Sequence, residues 1–537
     1  MSTHSAHVDT FAYDNLPPRD QWPDLIYTIP EVQFPDRLNC AVELVDAWVS
    51  KGSGDHPAIY GADGMLTYKQ LQEKIDQVAH VLTHDMGLVP GNRVLLRGAN
   101  TPMMAICWFA IAKAGLIIVA TMPLLREKEL VDIIDKAQIS AAICDKHLDA
   151  ELVSAKQRSP LLKQIIYFND PSPAGLEARM SAQNTPFPPV DTATDDTVLI
   201  AFTSGSTGKP KATMHFHRDI MAVCACFPIS TAHLTADDIS IGTPPLAFTF
   251  GVGGLLLFPL CVGGATVLLE KLTPESVLQA VQQYHVTTIC AAPLTYRQMA
   301  GLASKFDLST LKHCVSAGEA LPPSTRKMWR DATGIEIIDG IGSTEMLHIF
   351  ISVSEAEARS GATGKPIPGY VAAIFDEEGN VLPAGTVGRL GVKGPTGCRY
   401  LADERQRTYV RDGWNLTGDA YLLDEDGYYW FQARTDDIIV TAGYNVAGPE
   451  VEGALFEHPA VAECAVVGAP DPERGTVIKA FVVLKPGYEP DDALAKTLQE
   501  FVKQHIAPYK YPRVIEFCDK LPRADTGKVQ RYKLRQS

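Results

Sequence analysis

The sequence has no excess of basic residues. Its 537 residues include 48 Lys and Arg against 63 Asp and Glu, which gives a formal net charge of −15 at pH 7. Because a nucleic-acid-binding surface needs a basic patch, this balance argues against a nucleic-acid partner. Any polyphosphate ligand must be held by local groups against an unfavourable overall field.

Cysteine pairs at metal-binding spacing are also missing. The eleven cysteines include no C-x-x-C pair, and Cys224 and Cys226 are too close together for the usual half of a zinc site. We therefore expect reduced thiols that are mostly buried.

No apolar leader and no unbroken membrane-spanning run is present. Residues 1–18 are polar and end in two prolines, unlike a secretory signal. The uncharged stretch Ile239–Leu269 is long enough to cross a bilayer, but prolines and glycines interrupt it. We interpret it as a turn, a buried helix and a core strand, and we expect a cytoplasmic protein without a membrane partner.

The pattern of apolar residues predicts an α/β fold with more than one domain, since 537 residues are too many for a single core. Apolar β-branched runs alternate with helical patterns from Arg93 to Cys144 and again from Val286 to Ile338, which is typical of parallel sheets covered by helices. After Gly391 short strands alternate with Asp-Gly turns, as in a β-rich subdomain.

These patterns divide the chain into three parts. We expect a large N-terminal domain at residues 1–433 with parallel sheets and the β-rich subdomain, a short polar boundary at 434–437, and a small α+β domain at 438–537. The family resemblance described below implies that 434–437 is a hinge and that the small domain is mobile. Ligands of open α/β sheets bind beyond the carboxyl ends of the strands. We therefore expect 292–293, 317–319 and 340–345 to surround one crevice.

The segment Thr203–Lys211, TSGSTGKPK, has the composition of a polyphosphate-binding loop. Its glycines let backbone N–H groups approach an anion, its hydroxyls donate hydrogen bonds, and its lysines supply charge. Pro210 follows Gly-Lys where a Walker A loop needs Ser or Thr, and Ser204 stands where a nucleophile elbow needs Gly. ATP is the expected ligand, and a mobile surface loop is the alternative.

Five motifs follow one another in the order TSGSTGKPK, GSTE (342–345), TGD (417–419), RTDD (434–437) and DTGKVQR (525–531). In order and spacing they resemble the adenylate-forming superfamily of acyl- and aryl-CoA synthetases, luciferases and peptide-synthetase adenylation domains. The resemblance extends from about Gln21 onward. It implies an enzyme that converts a carboxylate to an acyl-AMP with ATP and Mg²⁺ and then forms the thioester of coenzyme A.

The resemblance also implies roles for single residues. Glu345 would bind Mg²⁺, Thr344 would contact the α-phosphate, and Asp419 would bind the ribose hydroxyls with help from Arg434. Lys528 would be the catalytic lysine that bridges the carboxylate and the α-phosphate. The remaining nucleotide contacts are expected from Thr203, Ser204, Gly205, Ser206, Thr207, Gly208, Lys211, Gly318, Glu319, Asp339, Gly340 and Ile341.

Because Lys528 belongs to the small domain, the resemblance implies domain closure about Asp436. The small domain would then rotate, withdraw Lys528 and present Gly443 and Tyr444 to the pantetheine arm of coenzyme A. The residues that hold the 3′-phosphate stay undetermined, with Arg474, Lys479 and Lys510 as candidates.

Further segments narrow the class of carboxylic acid that is expected as the substrate. The stretches 316–322, 339–350 and 507–513 resemble benzoate-type aryl-CoA ligases, and 442–452 is most similar to 2-aminobenzoate-CoA ligases. A flat aryl acid requires apolar walls and a hydrogen-bonding group. The expected substrate residues are Phe248, Phe250, Ala317, Ile341 and His348, together with Gly318. His348 has the alternative of a structural histidine on a helix after GSTE.

Three other assignments remain open. The acid could be medium-chain or cyclic aliphatic, or the chain could be a non-catalytic ATP-binding homologue. A peptide-synthetase domain is less favoured because the sequence near Phe248 lacks an acidic residue for an α-amino group. Ile341, where many relatives have tyrosine, and Ala212, where glycine is common, depart from the family pattern. The chain is expected to be a monomer or a homodimer.

Overall fold

The computed structural model describes residues 5–203, 210–434, 438–441, 444–471, 475–506, 510–523 and 527–535. Its strands are β1 (Pro57–Gly61), β2 (Gly64–Thr67), β3 (Arg93–Arg97), β4 (Ile117–Thr121), β5 (Ala141–Asp145), β6 (Gln164–Phe168), β7 (Thr197–Thr203), β8 (Lys211–Phe216), β9 (Ile239–Gly242), β10 (Ala265–Val267), β11 (Thr288–Ala291), β12 (His313–Ser316), β13 (Ile337–Gly342), β14 (Ile349–Ser352), β15 (Lys365–Pro366), β16 (Val371–Phe375), β17 (Val387–Lys393), β18 (Val410–Arg411), β19 (Trp414–Leu423), β20 (Tyr429–Arg434), β21 (Ile438–Thr441), β22 (Tyr444–Ala447), β23 (Val461–Asp471), β24 (Gly475–Leu484) and β25 (Val514–Phe517).

The α-helices cover both faces of the parallel strands. They are α1 (Phe11–Asp14), α2 (Tyr68–His80), α3 (Pro102–Lys113), α4 (Glu127–Ala137), α5 (Asp149–Arg158), α6 (Leu176–Met180), α7 (His217–Ser230), α8 (Thr249–Val252), α9 (Phe258–Cys261), α10 (Pro274–Tyr284), α11 (Pro293–Ala300), α12 (Pro323–Thr333), α13 (Gln406–Tyr409), α14 (Gly448–Phe456), α15 (Asp492–His505) and α16 (Arg531–Leu534).

A six-stranded sheet has the order β6-β5-β3-β4-β7-β8 and is parallel except for the final pair. All five residues of β3 are buried, as expected for a central parallel strand with helices on both faces. The helix α3 begins where the Thr101 side chain accepts from the Met104 N–H, which caps the free first turn. The last pair, β7 and β8, is an antiparallel hairpin whose connection carries TSGSTGKPK.

A nine-stranded sheet has the order β15-β14-β13-β12-β11-β9-β10-β1-β2, with a parallel centre and antiparallel edges. Residues of both sheets and of α2 and α3 share one buried cluster, for example Val94, Ile59, Leu71 and Trp108. The apolar stretch 239–269 begins with strand β9, where the sequence had predicted a turn. The four residues of β9 are too few to show an apolar period.

A five-stranded antiparallel sheet, β16 to β20, follows. It begins at Val371, earlier than the expected start after Gly391. The smaller C-terminal domain consists of a β21–β22 hairpin and the sheet β23-β24-β25, against which α14 and α15 pack through Val451, Leu455 and Leu498. The α/β class with a large N-terminal and a smaller C-terminal domain is as predicted.

All eleven cysteines lie in described parts of the chain as free thiols, and all except Cys261 and Cys518 are buried. Within the described ranges, none of the helices has the length and apolar character that a membrane span requires.

Candidate active site

The GSTE motif connects β13 to β14 at the carboxyl end of the parallel strands. β13 runs past its predicted end at Ile338 because Gly340 and Ile341 pair antiparallel with β14. Ser316, the last residue of β12, pairs with Asp339, so 317–319 lie beside 340–345. The structure brings these two segments to one edge of the sheet.

The segment after Glu345 is a turn, so the alternative of a helix for His348 is wrong. The Leu347 N–H donates to the Thr344 carbonyl at 3.2 Å, and the Met346 N–H donates to Ser343 Oγ at 3.2 Å. Leu347 has φ 71°, a left-handed conformation that is rare for a bulky side chain. His348 is the last residue before β14.

A buried polar cluster holds this turn from the β8 side. His215 Nε2 lies 2.8 Å from the carbonyl oxygen of Thr344, and its Nδ1 lies 3.8 Å from Asp219 Oδ2. Arg399 donates to the same Asp219 oxygen, and all three side chains are fully buried. Burial raises the pKa of Asp219, but Arg399 and His215 outweigh it and hold this pKa at about 2. The carboxylate therefore stays charged beside His215.

Glu345 is held by a hydroxyl. Tyr400 Oη donates to Glu345 Oε1 at 2.5 Å, and Lys211 Nζ lies 3.2 Å from Tyr400 Oη. Glu345 is only 8% exposed to solvent, and Tyr400 is fully buried. Burial raises the pKa of Tyr400 far above the ordinary range, so its hydroxyl keeps its proton.

The donor set at Glu345 fits Mg²⁺. In the described part of the chain, no group of three or more His, Cys, Asp or Glu side chains is placed to hold a metal ion by itself. Mg²⁺ prefers oxygen ligands and is often bound by one or two carboxylates together with substrate phosphates and water. A single carboxylate facing a phosphate site is consistent with that mode.

Asp419 and Arg434 form an ion pair. Arg434 Nη1 donates to Asp419 Oδ1 at 2.8 Å and to the Thr417 carbonyl at 3.1 Å. Asp419 and Arg434 pair across β19 and β20, so the ladder itself places them side by side. The half-exposed guanidinium can only donate, whereas the buried carboxylate of Asp419 retains further acceptor sites of the kind that ribose hydroxyls require.

Several of the expected nucleotide contacts lie in β13 or just after β12. Asp339 is buried, which raises its pKa to about 7 although Arg326 acts in the opposite direction. Ile341 is half-buried beside it. Gly318 has φ +91°, and an added Cβ would meet no atom within 4 Å. A substitution at Gly318 would therefore be limited by backbone strain and not by contact with neighbouring protein atoms.

His348 lies in a cluster of aromatic rings. Its imidazole is 4.3 Å from the Phe258 ring, 5.8 Å from Phe250 and 5.9 Å from Phe227. Neither ring nitrogen has a well-formed hydrogen bond to any residue that the structure describes. Burial lowers the pKa of His348 to about 3, against a smaller raising effect of the Phe250 backbone, so the imidazole is neutral at pH 7.

A glycine makes room for this histidine. The helix from Thr249 to Cys261 contains a π-turn at 253–257, and a Cβ added to Gly253 would overlap the imidazole of His348. Of the other expected walls, Ala317 is buried and Phe248 is half-buried. Phe258, which packs against His348, was not among the expected substrate residues. The helical spacing of Phe250, Gly254 and Phe258 indicates that the three residues share one face.

Lys528 lies in a segment of the C-terminal domain that a β-bridge and hydrogen bonds hold in place. A β-bridge joins Arg523 to Val529, and Arg523 Nη1 donates to the Gly527 carbonyl at 2.6 Å. Arg523 Nη2 donates to Glu463 Oε2 at 2.6 Å. The described residues 527–529 are therefore attached through Arg523 to Glu463 of β23.

Lys528 lies within electrostatic reach of the N-terminal domain. Burial lowers the pKa of Lys528, while Glu319, Asp419 and Glu345 raise it and Arg434 lowers it. The residue is nevertheless exposed to solvent. The carboxylates that affect its pKa are those expected to contact the nucleotide.

Several expected site residues fall outside the described residues. These are Ser204, Gly205, Ser206, Thr207 and Gly208 of the loop, Asp436 of the hinge, Gly443 and Arg474; Tyr444 is described by its backbone alone. Thr203 ends β7 and is half-buried. Lys479 and Lys510, considered for the 3′-phosphate, pair with Glu516 and Glu450 at 2.8 and 2.5 Å.

Family models match both domains. A model described as AMP-binding enzyme matches residues 45–400, and one described as AMP-binding enzyme C-terminal domain matches 450–528. The chain belongs to the AMP-binding enzyme family. It is an enzyme of the AMP-forming acid-thiol ligase class, and membership implies ATP and coenzyme A as substrates.

Individual relatives match nearly the whole chain. The chain is 34% identical to the benzoate-CoA ligase of Thauera aromatica, over 95% of this chain and 98% of that protein. It is 33% identical to the mitochondrial acyl-coenzyme A synthetase ACSM3 of Homo sapiens, over 94% of this chain and 90% of that protein.

Two solved structures share the fold. The anthranilate CoA ligase AuaEII in complex with anthranoyl-AMP aligns with a TM-score of 0.90 at 34% identity, covering 95% of this chain and 98% of that chain. A benzoate CoA ligase from Burkholderia xenovorans LB400 aligns with a TM-score of 0.85 at 31% identity, covering 93% of this chain and 100% of that chain. The predicted resemblance to benzoate-type aryl-CoA ligases is confirmed.

Proposed function

We propose that the protein is an aryl-CoA ligase that activates a benzoate-type acid, 2-aminobenzoate or benzoate, and transfers it to coenzyme A. The observation that carries the proposal is the environment of His348. Its buried, neutral imidazole has no well-formed hydrogen bond to a described residue and is surrounded by the rings of Phe227, Phe250 and Phe258. A planar acid fits such rings, and a ring substituent or carboxylate would satisfy the imidazole. Relatives with benzoate and anthranilate in their names support the same class.

In the first half-reaction a carboxylate oxygen attacks the α-phosphorus of ATP, and the bond from that phosphorus to pyrophosphate breaks. Negative charge develops on phosphate oxygens, so fixed cations and N–H donors stabilise the transition state. We assign the cation to Lys528, the α-phosphate contact to Thr344 and the ribose contact to Asp419 with Arg434. Bound at Glu345, Mg²⁺ would neutralise phosphate charge.

In the second half-reaction the thiol sulfur of coenzyme A attacks the acyl carbon, the bond to AMP breaks, and the thiol proton passes to solvent. The proposal retains the division into 1–433, 434–437 and 438–537. Rotation about Asp436 would remove Lys528 from the crevice and bring Gly443 and Tyr444 to the pantetheine arm. The contacts that hold the Lys528 segment in its domain support this rotation, since Lys528 cannot withdraw without the domain.

A medium-chain or cyclic aliphatic acid is the second candidate. The phenyl rings around His348 would accept an aliphatic chain as well, and the human relative is named an acyl-coenzyme A synthetase. An aliphatic acid, like benzoate, leaves the imidazole without a partner if its carboxylate lies elsewhere, which costs binding energy and favours 2-aminobenzoate.

A screen of acids tests the proposal. Purified protein would be assayed for acid-dependent exchange of pyrophosphate into ATP without coenzyme A, and for AMP release with it. The acids are benzoate, 2-aminobenzoate, 4-hydroxybenzoate, cyclohexanecarboxylate and octanoate. We expect kcat/KM for benzoate or 2-aminobenzoate to exceed that for the aliphatic acids by at least about tenfold. Preference for octanoate would favour the second candidate, and no exchange with any acid would favour a non-catalytic homologue.

A further inference from the structure

The side chains of Lys211, Tyr400 and Glu345 form a continuous hydrogen-bonded chain in the crevice. The donor-acceptor distances are 3.2 Å from Lys211 Nζ to Tyr400 Oη and 2.5 Å from Tyr400 Oη to Glu345 Oε1. Lys211 Nζ also lies 5.2 Å from the centre of the Tyr400 ring. Lys211 belongs to the predicted polyphosphate-binding loop, whereas Tyr400 lies in none of the five motifs.

The chemistry of the three groups fixes the direction of the chain. An ammonium group can only donate, so the Tyr400 oxygen must accept from Lys211. The single O–H of Tyr400 is then left for Glu345, whose carboxylate can only accept. Oε1 of Glu345 is thereby occupied, whereas Oε2 has no hydrogen bond from any residue within the described ranges.

The backbone positions Tyr400 for this contact. Residues 399–401 run beside β8, with the Met214 N–H donating to the Arg399 carbonyl at 2.8 Å and the Leu401 N–H donating to the Ala212 carbonyl at 2.8 Å. The Tyr400 N–H is bound by Gln406 Oε1 at 2.9 Å. The tyrosine thus has little freedom to leave the carboxylate.

We propose that Tyr400 is a positioning residue whose hydroxyl orients Glu345 so that one carboxylate oxygen faces the cation carried by ATP, with Lys211 fixing the hydroxyl. The inference rests on the proposed function for the identity of the nucleotide. A fixed donor on one oxygen removes rotational freedom of the carboxylate and leaves the other oxygen for the metal, as in other metal sites with hydrogen-bonded carboxylates.

The test separates metal-dependent from metal-independent nucleotide binding in Tyr400→Phe. Isothermal titration would measure Kd for ATP with Mg²⁺ and for ATP with EDTA, without acid or coenzyme A. We expect Kd for MgATP to rise about tenfold while Kd for metal-free ATP changes by less than about twofold, since a hydrogen bond to a charged group is lost only at the metal ligand. Thermal unfolding would confirm that the variant is folded.

A matched control is Tyr68→Phe, which also removes a buried hydroxyl, bonded to the Gly264 carbonyl at 2.8 Å, but far along the chain from Glu345. It should leave both Kd values unchanged. In the Tyr400→Phe background, Lys211→Met should change the ratio of the two Kd values by less than it does in the wild type, because its effect on Glu345 passes through the hydroxyl.

The outcomes are decisive. An unchanged ratio of the two Kd values in folded Tyr400→Phe, or full additivity of the two substitutions in that ratio, would overturn the proposal. Failure of the proposed function is a separate result: wild-type protein would then show no acid-dependent pyrophosphate exchange, while the titrations would still report on Tyr400.

Discussion

His215 Nε2 lies 2.8 Å from the carbonyl oxygen of Thr344, although 129 positions separate the two residues. A carbonyl can only accept, so Nε2 carries the proton and Nδ1 faces the Asp219 carboxylate. The turn at 343–346 is thus attached to β8, the strand that directly follows the predicted phosphate-binding loop. One imidazole therefore connects two of the segments that are proposed to bind the nucleotide.

Removal of this connection should slow adenylation. We expect His215→Leu to lower kcat for pyrophosphate exchange about tenfold or more, because the Thr344 carbonyl loses its donor at a cost of about 1 to 3 kcal/mol. The KM for the acid should change little. His215→Gln, which retains an N–H donor, should recover much of kcat. Equal losses in both variants would show that the imidazole only fills space.

Lys528→Ala should remove most of the first half-reaction and spare the second. Loss of one group that stabilises transition-state charge costs about 10²- to 10³-fold. Thioester formation from a supplied acyl-adenylate should stay within about twofold, since the proposed rotation withdraws this lysine. Lys496→Ala, an exposed lysine of α15, is the control. Equal damage to both half-reactions would contradict the division of labour.

The docked position of the small domain has a contact of its own. The Arg297 guanidinium on α11 lies 5.4 Å from the centre of the Phe456 ring at the end of α14. Phe456→Leu should slow adenylation about two- to thirtyfold, matching a cation–π contact of about 0.5 to 2 kcal/mol. Arg297→Lys, which retains the cation, should be milder than Arg297→Met. The thioester step, measured from supplied acyl-adenylate, should be unaffected in all three.

The pairing of Gly253 with His348 predicts a compensating double substitution. Gly253→Ala should displace the imidazole, because the new methyl group overlaps it, and should raise KM for aryl acids with an overpacking cost of about 1 to 3 kcal/mol. Gly253→Ala combined with His348→Ala should bind benzoate better than Gly253→Ala alone. The KM for ATP should stay constant throughout. If the single and double variants bind benzoate equally, the acyl site lies elsewhere.

The low pKa of His348 predicts acid sensitivity. In the unfolded chain the histidine protonates near pH 6.5, whereas burial lowers the pKa to about 3 in the folded protein. Between these values the unfolded state binds more protons, so the free energy of unfolding falls as the pH falls from 6.5 toward 3. His348→Phe should make this fall shallower by up to about 1.4 kcal/mol per pH unit. Urea unfolding at several pH values measures the slopes, and identical slopes would contradict the burial argument.

The parallel strands were predictable because each carries a continuous apolar run followed by a turn. The strand series predicted from Arg93 to Cys144 is observed as β3, β4 and β5, and β5 ends at Asp145, one residue beyond Cys144. β9 escaped prediction because four residues are too few to show a period. The extra length of β13 depends on pairing with β14, which no local pattern reveals.

The candidate site was predictable only where local motifs mark it. Glu345, Asp419 and Lys528 each belong to a recognisable short motif. Tyr400 belongs to no motif that we recognised, and it reaches Lys211 only because residues 399–401 pair beside β8, 189 positions from that lysine. Such pairings follow from how sheets assemble and not from the residues nearby.

The π-turn at 253–257 has a consequence for how the acyl pocket could diversify. A π-turn accommodates one residue more than an α-helix of the same length. Conversion of the π-turn to regular α-helix without loss of a residue would rotate Phe258 by about 100° relative to Phe250, and the two rings would no longer face His348 together. Deletion of the extra residue would instead restore regular winding and leave the two rings on one face. The wall around His348 could thus lose one residue while β13 and β19 keep their register.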